Sequence, residues 1–414
     1  MTADNGPAGP PLPWLARPQA RSWTCGTPES VRSGEVRAYH AGLPGYAPTP
    51  LAEIPALAAE LGVGRVFVKD ESSRLGLPAF KVLGASWAVR QVLAGTPAGE
   101  PAGAAPPAAA PDGLAGLREL AARRPGLVFV TATDGNHGRA VARMARLSGA
   151  PARVFVPAVA GPAARAAIAS EGAEVIRVDG SYDEAVGTAR QWAQEHPGAA
   201  LVQDTAWPGY EQVPGWIVEG YSTLFAELDA QLVGAGPPGL VVVPVGVGSL
   251  AQAAVAHYRA ADAGGRGQVT AAGRPGRGQN SAPRQPSSVT AVLSVEPDTA
   301  ACLLASLRAG KPVTVPNANT IMAGLNCGTI SSIAWPYLAG GLDAAVAVTD
   351  DAARRAAADL AASGISSGPS GAASLAGARA ALTGPGAQQR RDDLAVTASS
   401  VLVLLSTEGS AAAG

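Results

Sequence analysis

At 414 residues, with 47% hydrophobic and only 15% charged residues, the chain is long enough for two domains or one large α/β unit around a sizeable core. A net charge of −1 and the absence of any basic run exclude a surface built to grip nucleic acid. The three cysteines, Cys25, Cys302 and Cys327, lack metal-ligand spacing and fit free thiols in a reducing compartment.

Residues 1–48 are rich in Pro, Gly and Arg and read as an N-terminal extension. No basic stretch followed by an apolar core marks a signal peptide there, so a soluble cytoplasmic protein is expected. A short helical pattern over 49–61 opens the ordered fold. Alternation in Arg65-Val66-Phe67-Val68-Lys69 predicts a strand with Lys69 facing solvent. A loop then leads to Lys81, followed by a helix over 84–93. Residues 94–113 are almost wholly Ala, Pro and Gly and read as a disordered surface insertion.

Regular βα alternation follows. Strands are predicted over 127–131, 153–156, 174–178 and 200–203, and helices over 137–148, 162–171 and 182–195. A helix over 213–232 precedes the wholly apolar strand 240–243, as a central parallel strand requires. The most apolar run, 239–256, contains Pro244, Gly246 and Gly248, so it reads as strand, loop and helix with no membrane span. Residues 262–288, rich in Gly, Arg, Gln and Pro, read as a second insertion before a strand over 289–295. Helices over 299–309, 350–363 and 371–382 and a strand over 401–405 close the fold.

Any chemistry needing a primary amine has three candidates, because the only lysines are Lys69, Lys81 and Lys311. Lys311, in Gly310-Lys311-Pro312, reads as an exposed turn. Lys81 sits between Phe80 and Val82 just before a helix start. Apolar neighbours desolvate an amine and lower its pKa, favouring the neutral nucleophile suited to a Schiff base with a carbonyl or with pyridoxal phosphate. A snorkelling lysine at a helix N-terminus is the plain alternative.

Four further segments bear chemistry. Thr133-Asp134-Gly135-Asn136-His137-Gly138 joins a strand to a helix, where backbone N–H groups meet a carboxylate or phosphate; an ordinary helix cap by Thr133 or Asp134 explains it equally well. Gly246-Val247-Gly248-Ser249-Leu250 forms a second such junction and cradles a phosphate, or serves as a degenerate dinucleotide fingerprint of a nicotinamide enzyme. Asp204 emerges at the carboxyl end of a strand, where open parallel sheets bind ligands, and with Asp134 offers two carboxylates for acid–base work. Ser406 and Thr407 follow the last strand; a hydroxyl there suits a pyridine nitrogen, and a frayed chain end is the alternative.

Together these segments resemble the tryptophan-synthase-like family of pyridoxal-phosphate enzymes (fold type II), over 48–409 without the two insertions. Asp134 directly before Gly135-Asn136-His137-Gly138, Asp204-Thr205-Ala206-Trp207 with Gly209-Tyr210, and Thr320-Ile321-Met322-Ala323-Gly324-Leu325 are similar to its members that act on 2,3-diaminopropionate. The resemblance implies an α/β fold of two doubly wound parallel-sheet domains with pyridoxal 5'-phosphate in the cleft between them. Residues 49–83 and 205–414 would form the large cofactor-binding domain and 84–204 the small one.

It further implies that Lys81, beside Phe80, carries the cofactor, that Asn136 meets its phenolic oxygen and that Gly246 to Leu250 hold its phosphate. Ser406 or Thr407 would face the ring nitrogen. Thr133, Asp134, Gly135, Asn136, His137 and Asp204 would bind an amino-acid substrate, with Lys81, Asp134 and Asp204 catalytic. The implied protein is a homodimer without metal that converts diaminopropionate to pyruvate and ammonia. The alternatives are a serine or threonine dehydratase of the same fold and a binding protein without catalysis. Pro78, where a polar residue is common, and Ser366-Ser367, in place of a Glu-Ser or Glu-Cys pair, depart from the family pattern.

Overall fold

Eleven strands organise the described residues, which are 12–95, 113–158, 160–261, 289–316 and 318–410 of this computed structural model. They are β1 (Trp14–Ala16), β2 (Leu51–Glu53), β3 (Arg65–Asp70), β4 (Val128–Ala132), β5 (Ala152–Pro157), β6 (Glu174–Val178), β7 (Ala199–Leu201), β8 (Leu240–Pro244), β9 (Ala291–Pro297), β10 (Ala344–Val348) and β11 (Val401–Ser406). A seven-stranded sheet runs β1-β10-β9-β8-β11-β3-β2, and a four-stranded sheet runs β6-β5-β4-β7. All neighbours pair in parallel except the two edges of the larger sheet, where β1 meets β10 and β2 meets β3 antiparallel.

Burial follows from this layering. β8 and β10 are buried along their whole length, which is why their sequences are continuous apolar runs. Helices cover both faces of the larger sheet. One face packs Trp87, Tyr221 and Phe225, and the other packs Leu61, Leu360 and Leu375. The smaller sheet is covered likewise, by Ala185 and Ala189 on one side and Ile168 on the other. No described helix is long and apolar enough to cross a membrane.

One expectation is corrected. Lys69 does not face solvent: it is fully buried and ion-paired to Glu227 at 2.7 Å. The same carboxylate takes Arg74 at 2.6 Å, and Arg74 holds Glu71 at 2.7 Å, so two cations and two anions neutralise one another inside the fold. Strand alternation fails as a guide here because β3 lies between two strands with helices on both sides. Residues 12–48 join the fold: β1 closes the sheet edge, and buried His40 bonds Thr223 and Ser86. The insertion 262–288 lies outside the described residues, as does 94–113 except Ala94, Gly95 and Gly113, where a helix Gly113–Ala122 begins.

Parallel strands deliver their carboxyl ends to one side. The segments following β3, β4, β7, β8 and β11 therefore converge at a single cleft between the two sheets.

Candidate active site

The cleft, about 540 Å³, is lined by Phe80, Lys81, Thr133, Asp134, Gly135, Asn136, His137, Asp204 and all of Gly246 to Leu250. The segments singled out in the sequence, scattered from Phe80 to Thr407, thus meet in one place.

Lys81 is set by stitching its loop to the chain beyond β11. Phe80 N donates to Thr407 O at 3.2 Å, and Gly409 N donates to Pro78 O at 2.9 Å. The helix Val82–Ala94 starts immediately after Lys81, and its Gly84 meets Gly220 of the helix Gln212–Gln231 backbone to backbone. The Phe80 ring packs on Tyr221 at 4.8 Å.

The Lys81 amine forms an ion pair with Asp204. Burial opposes the charge, but Asp204, Tyr221 and Asp134 together outweigh it and the amine is held above its ordinary value. This corrects the expectation of a depressed, neutral amine, since the flanking apolar residues give no sign of a carboxylate 123 positions away. Asp204 is the complement: burial pushes its carboxyl up, yet Lys81 and His137 hold it down at about 2. Asp134 also lines the cleft but has weaker support. Burial raises it to about 6 against the pull of Lys81. One carboxyl is thus a fixed anion and the other is poised to exchange a proton near neutral pH.

Two helix N-termini open onto the cleft. The helix Asn136–Ser148 begins at Gly135 with no side-chain cap; Thr133 instead accepts from Gly135 N at 3.0 Å. The helix Ser249–Tyr258 begins at Gly248, again uncapped, with φ +97° that only glycine adopts readily. The Ser249 hydroxyl donates to Asp204 O at 2.7 Å and so ties the phosphate-type loop to the acid. Uncapped amides at a helix start bind anions. These two termini, a single amine and the Asn136 amide form a donor set that fits pyridoxal phosphate. The Gly246–Leu250 loop would hold its phosphate, Lys81 its carbonyl carbon and Asn136 its phenolic oxygen.

Of the two hydroxyls after the last strand, Thr407 lines the cleft. Ser406 is fully buried and donates to Ser367 at 2.8 Å, turned away from it. Glu408, missed in the sequence, takes its place beside Thr407: Asn136 Nδ2 donates to Glu408 Oε2 at 2.8 Å, fixing the amide. Gln203 was also missed. It accepts from Ala132 N at 2.9 Å and donates to the Tyr182 hydroxyl at 2.8 Å and to Asp204 at 3.3 Å. Tyr182 and Cys327 complete that wall. Glu408 stands beside the singled-out hydroxyls, and adjacency was the one signal available.

The fold and the cleft agree with comparison to known proteins. A family described as pyridoxal-phosphate dependent enzymes matches residues 43–400, and the chain belongs to that family. The diaminopropionate ammonia-lyase of Salmonella typhimurium is 36% identical over 320 residues, 73% of this chain and 69% of that protein. The diaminopropionate ammonia-lyase of Escherichia coli K12 is 33% identical over 383 residues, 90% of this chain and 87% of that protein. The crystal structure of the Escherichia coli enzyme with an aminoacrylate–PLP azomethine reaction intermediate superposes with a TM-score of 0.76 at 30% identity, covering 97% of this chain and 95% of that one.

Proposed function

We propose that the protein is a pyridoxal-phosphate lyase that converts 2,3-diaminopropionate and water to pyruvate and two ammonia molecules. The observation that carries this reading is the pair Asp134 and Asp204 flanking Lys81 in one cleft. Two buried carboxylates beside one amine suit a substrate bearing two ammonium groups, because a buried charge needs a counter-charge. Serine and threonine carry one.

Bound pyridoxal phosphate supplies an electron sink for the pair left at the α-carbon when its proton departs. The residues do the rest. Lys81, Asn136 and the Gly246–Leu250 loop hold and orient that group. The helix start at Asn136 holds the substrate carboxylate with its backbone amides. Lys81 takes the α-proton from the L-isomer, and Asp134 can take it from the D-isomer. Asp134, raised to about 6 and so mostly an anion at neutral pH, holds the β-ammonium, which keeps its three protons and leaves as ammonia when the C–N bond breaks. Asp204 remains an anion and holds the substrate ammonium. Thr407, which lines the cleft, would meet the ring nitrogen.

The large unit of 49–83 and 205–414, the small unit of 84–204, a cytoplasmic homodimer and a role in amino-acid catabolism belong to the same proposal. Assay of 2-oxo-acid formation from both diaminopropionate isomers, serine and threonine tests the function. Diaminopropionate is expected to be the best substrate; a preference for serine or threonine would replace this reading with the dehydratase one.

A further inference from the structure

As it stands, the site holds Lys81 in a form that does no chemistry. An ammonium is neither nucleophile nor base, and the Asp204 partner favours that form. A proton must leave Nζ before Lys81 can act, and the surroundings offer one acceptor that nothing else uses. His137 is 3% exposed and lines the cleft. Its Nε2 lies 2.8 Å from the Val202 carbonyl, which accepts only, so Nε2 carries the hydrogen. Nδ1 is then a bare lone pair. It is buried, has no hydrogen-bond partner, and lies 3.9 Å from the same Asp204 oxygen that Lys81 holds.

We propose that His137 is a positioning residue that parks the Lys81 proton, with Asp204 between them to pass it on. The inference rests on the reading of Lys81 as the cofactor lysine. The N–H bond broken at Lys81 Nζ is replaced first by an O–H bond at Asp204 Oδ2, the atom both nitrogens face, and then by an N–H bond at His137 Nδ1, so Asp204 is a carboxylate before and after the transfer. In one state Asp204 accepts from Nζ. In the other, a turn of its carboxylate closes the gap to Nδ1–H. One positive charge faces Asp204 in both, so no buried charge is left alone.

The charges facing the ring are consistent with this exchange. Burial keeps His137 neutral in the present state, Asp204 favours its protonation, and the Lys81 ammonium opposes it. When Lys81 is bonded to the cofactor or freed as a neutral amine, the opposing charge is gone and the favouring one remains. Lys81 is thereby kept neutral when it must act as a base.

The chain has four histidines, so imidazole 15N–1H spectra of histidine-labelled protein are simple to read. His137→Gln assigns the signal, and its amide can still donate to Val202. Expected is a His137 ring with one protonated nitrogen in cofactor-free protein and two in holoprotein at about pH 7.5. A ring with one protonated nitrogen in both states would overturn the proposal. So would retention of full kcat by holo His137→Gln, where a loss of about tenfold or more at nearly unchanged KM is expected. If the variant fails to fold, the wild-type spectra still decide, with His137 assigned as the remaining signal after substitution of the other three histidines. No substrate enters the spectra, so they report on the relay even if diaminopropionate proves not to be turned over.

Discussion

Asp134 and Asp204 are the same residue type in the same cleft, and their neighbours make them different acids. Asp204 has Lys81 against it and is held at about 2; Asp134 has only burial and a more remote cation and rises to about 6. As pH falls through about 6, Asp134 takes a proton and loses the charge that faces a substrate ammonium. The ratio kcat/KM for diaminopropionate should therefore drop about tenfold per pH unit below that point. Asp134→Asn should abolish this limb and lower turnover about a hundredfold at neutral pH; an unchanged profile would assign the limb to another group. The buried quartet of Lys69, Arg74, Glu71 and Glu227 makes a separate prediction. Glu227→Ala strands two cations on one remaining carboxylate, and denaturant unfolding should show a loss of about 3–5 kcal/mol. A loss under about 1 kcal/mol would mean that water reaches the cluster. At this scale residue types and their local spacing were legible. Sequence reading singled out Lys81, Asp134, Asn136 and Asp204 from a scarce amine, strand ends and glycine loops, and all four line one cleft. It misjudged Lys69 and the state of Lys81, because both depend on carboxylates more than 100 positions away in the chain.

Elements turn those residues toward one another. Helix Val82–Ala94, which begins right after Lys81, crosses helix Gln212–Gln231 where Gly84 and Gly220 leave no room for a side chain. A Cβ on Gly220 would lie 2.5 Å from Leu83 O and 2.7 Å from Gly84 Cα. Gly220→Ala must push the Lys81 helix outward, since backbone atoms cannot swing aside. A stability loss of about 1–3 kcal/mol is expected, as for other overpacked contacts, with weaker cofactor retention on dialysis. Normal stability and retention together would show that the crossing does not set Lys81. Most βα units were legible, since period-two and apolar strands alternate there with helices ending at glycine or beginning at proline. The strand β10 was not. Ala344-Ala345-Val346-Ala347-Val348 is rich in alanine, a poor strand former, and pairing between β9 and β1 makes it a strand. The helices Gly113–Ala122 and Trp335–Gly341 were missed for a similar reason, their patterns being short and broken by glycine.

Across the whole molecule, two parallel sheets aim five strand ends at one cleft, and that geometry makes a single amine sufficient. Lys69 is sealed in its ion cluster and Lys311 is exposed, leaving Lys81 alone in the cleft. Borohydride reduction of the holoprotein should therefore attach pyridoxal phosphate to the peptide holding Lys81; attachment at Lys69 or Lys311 would displace the site. The family and the two-sheet plan were legible because short glycine loops recur at strand-to-helix junctions. The contribution of residues 12–48 to the sheet and core was not, because β1 is three residues long and takes its place only by pairing with β10. The most direct test of the account counts both products on purified holoprotein supplied with L-2,3-diaminopropionate. Steady pyruvate formation with two ammonia molecules released per pyruvate is expected, and its loss in Lys81→Ala. Ammonia without pyruvate, or no turnover by a protein that retains its cofactor, would contradict it.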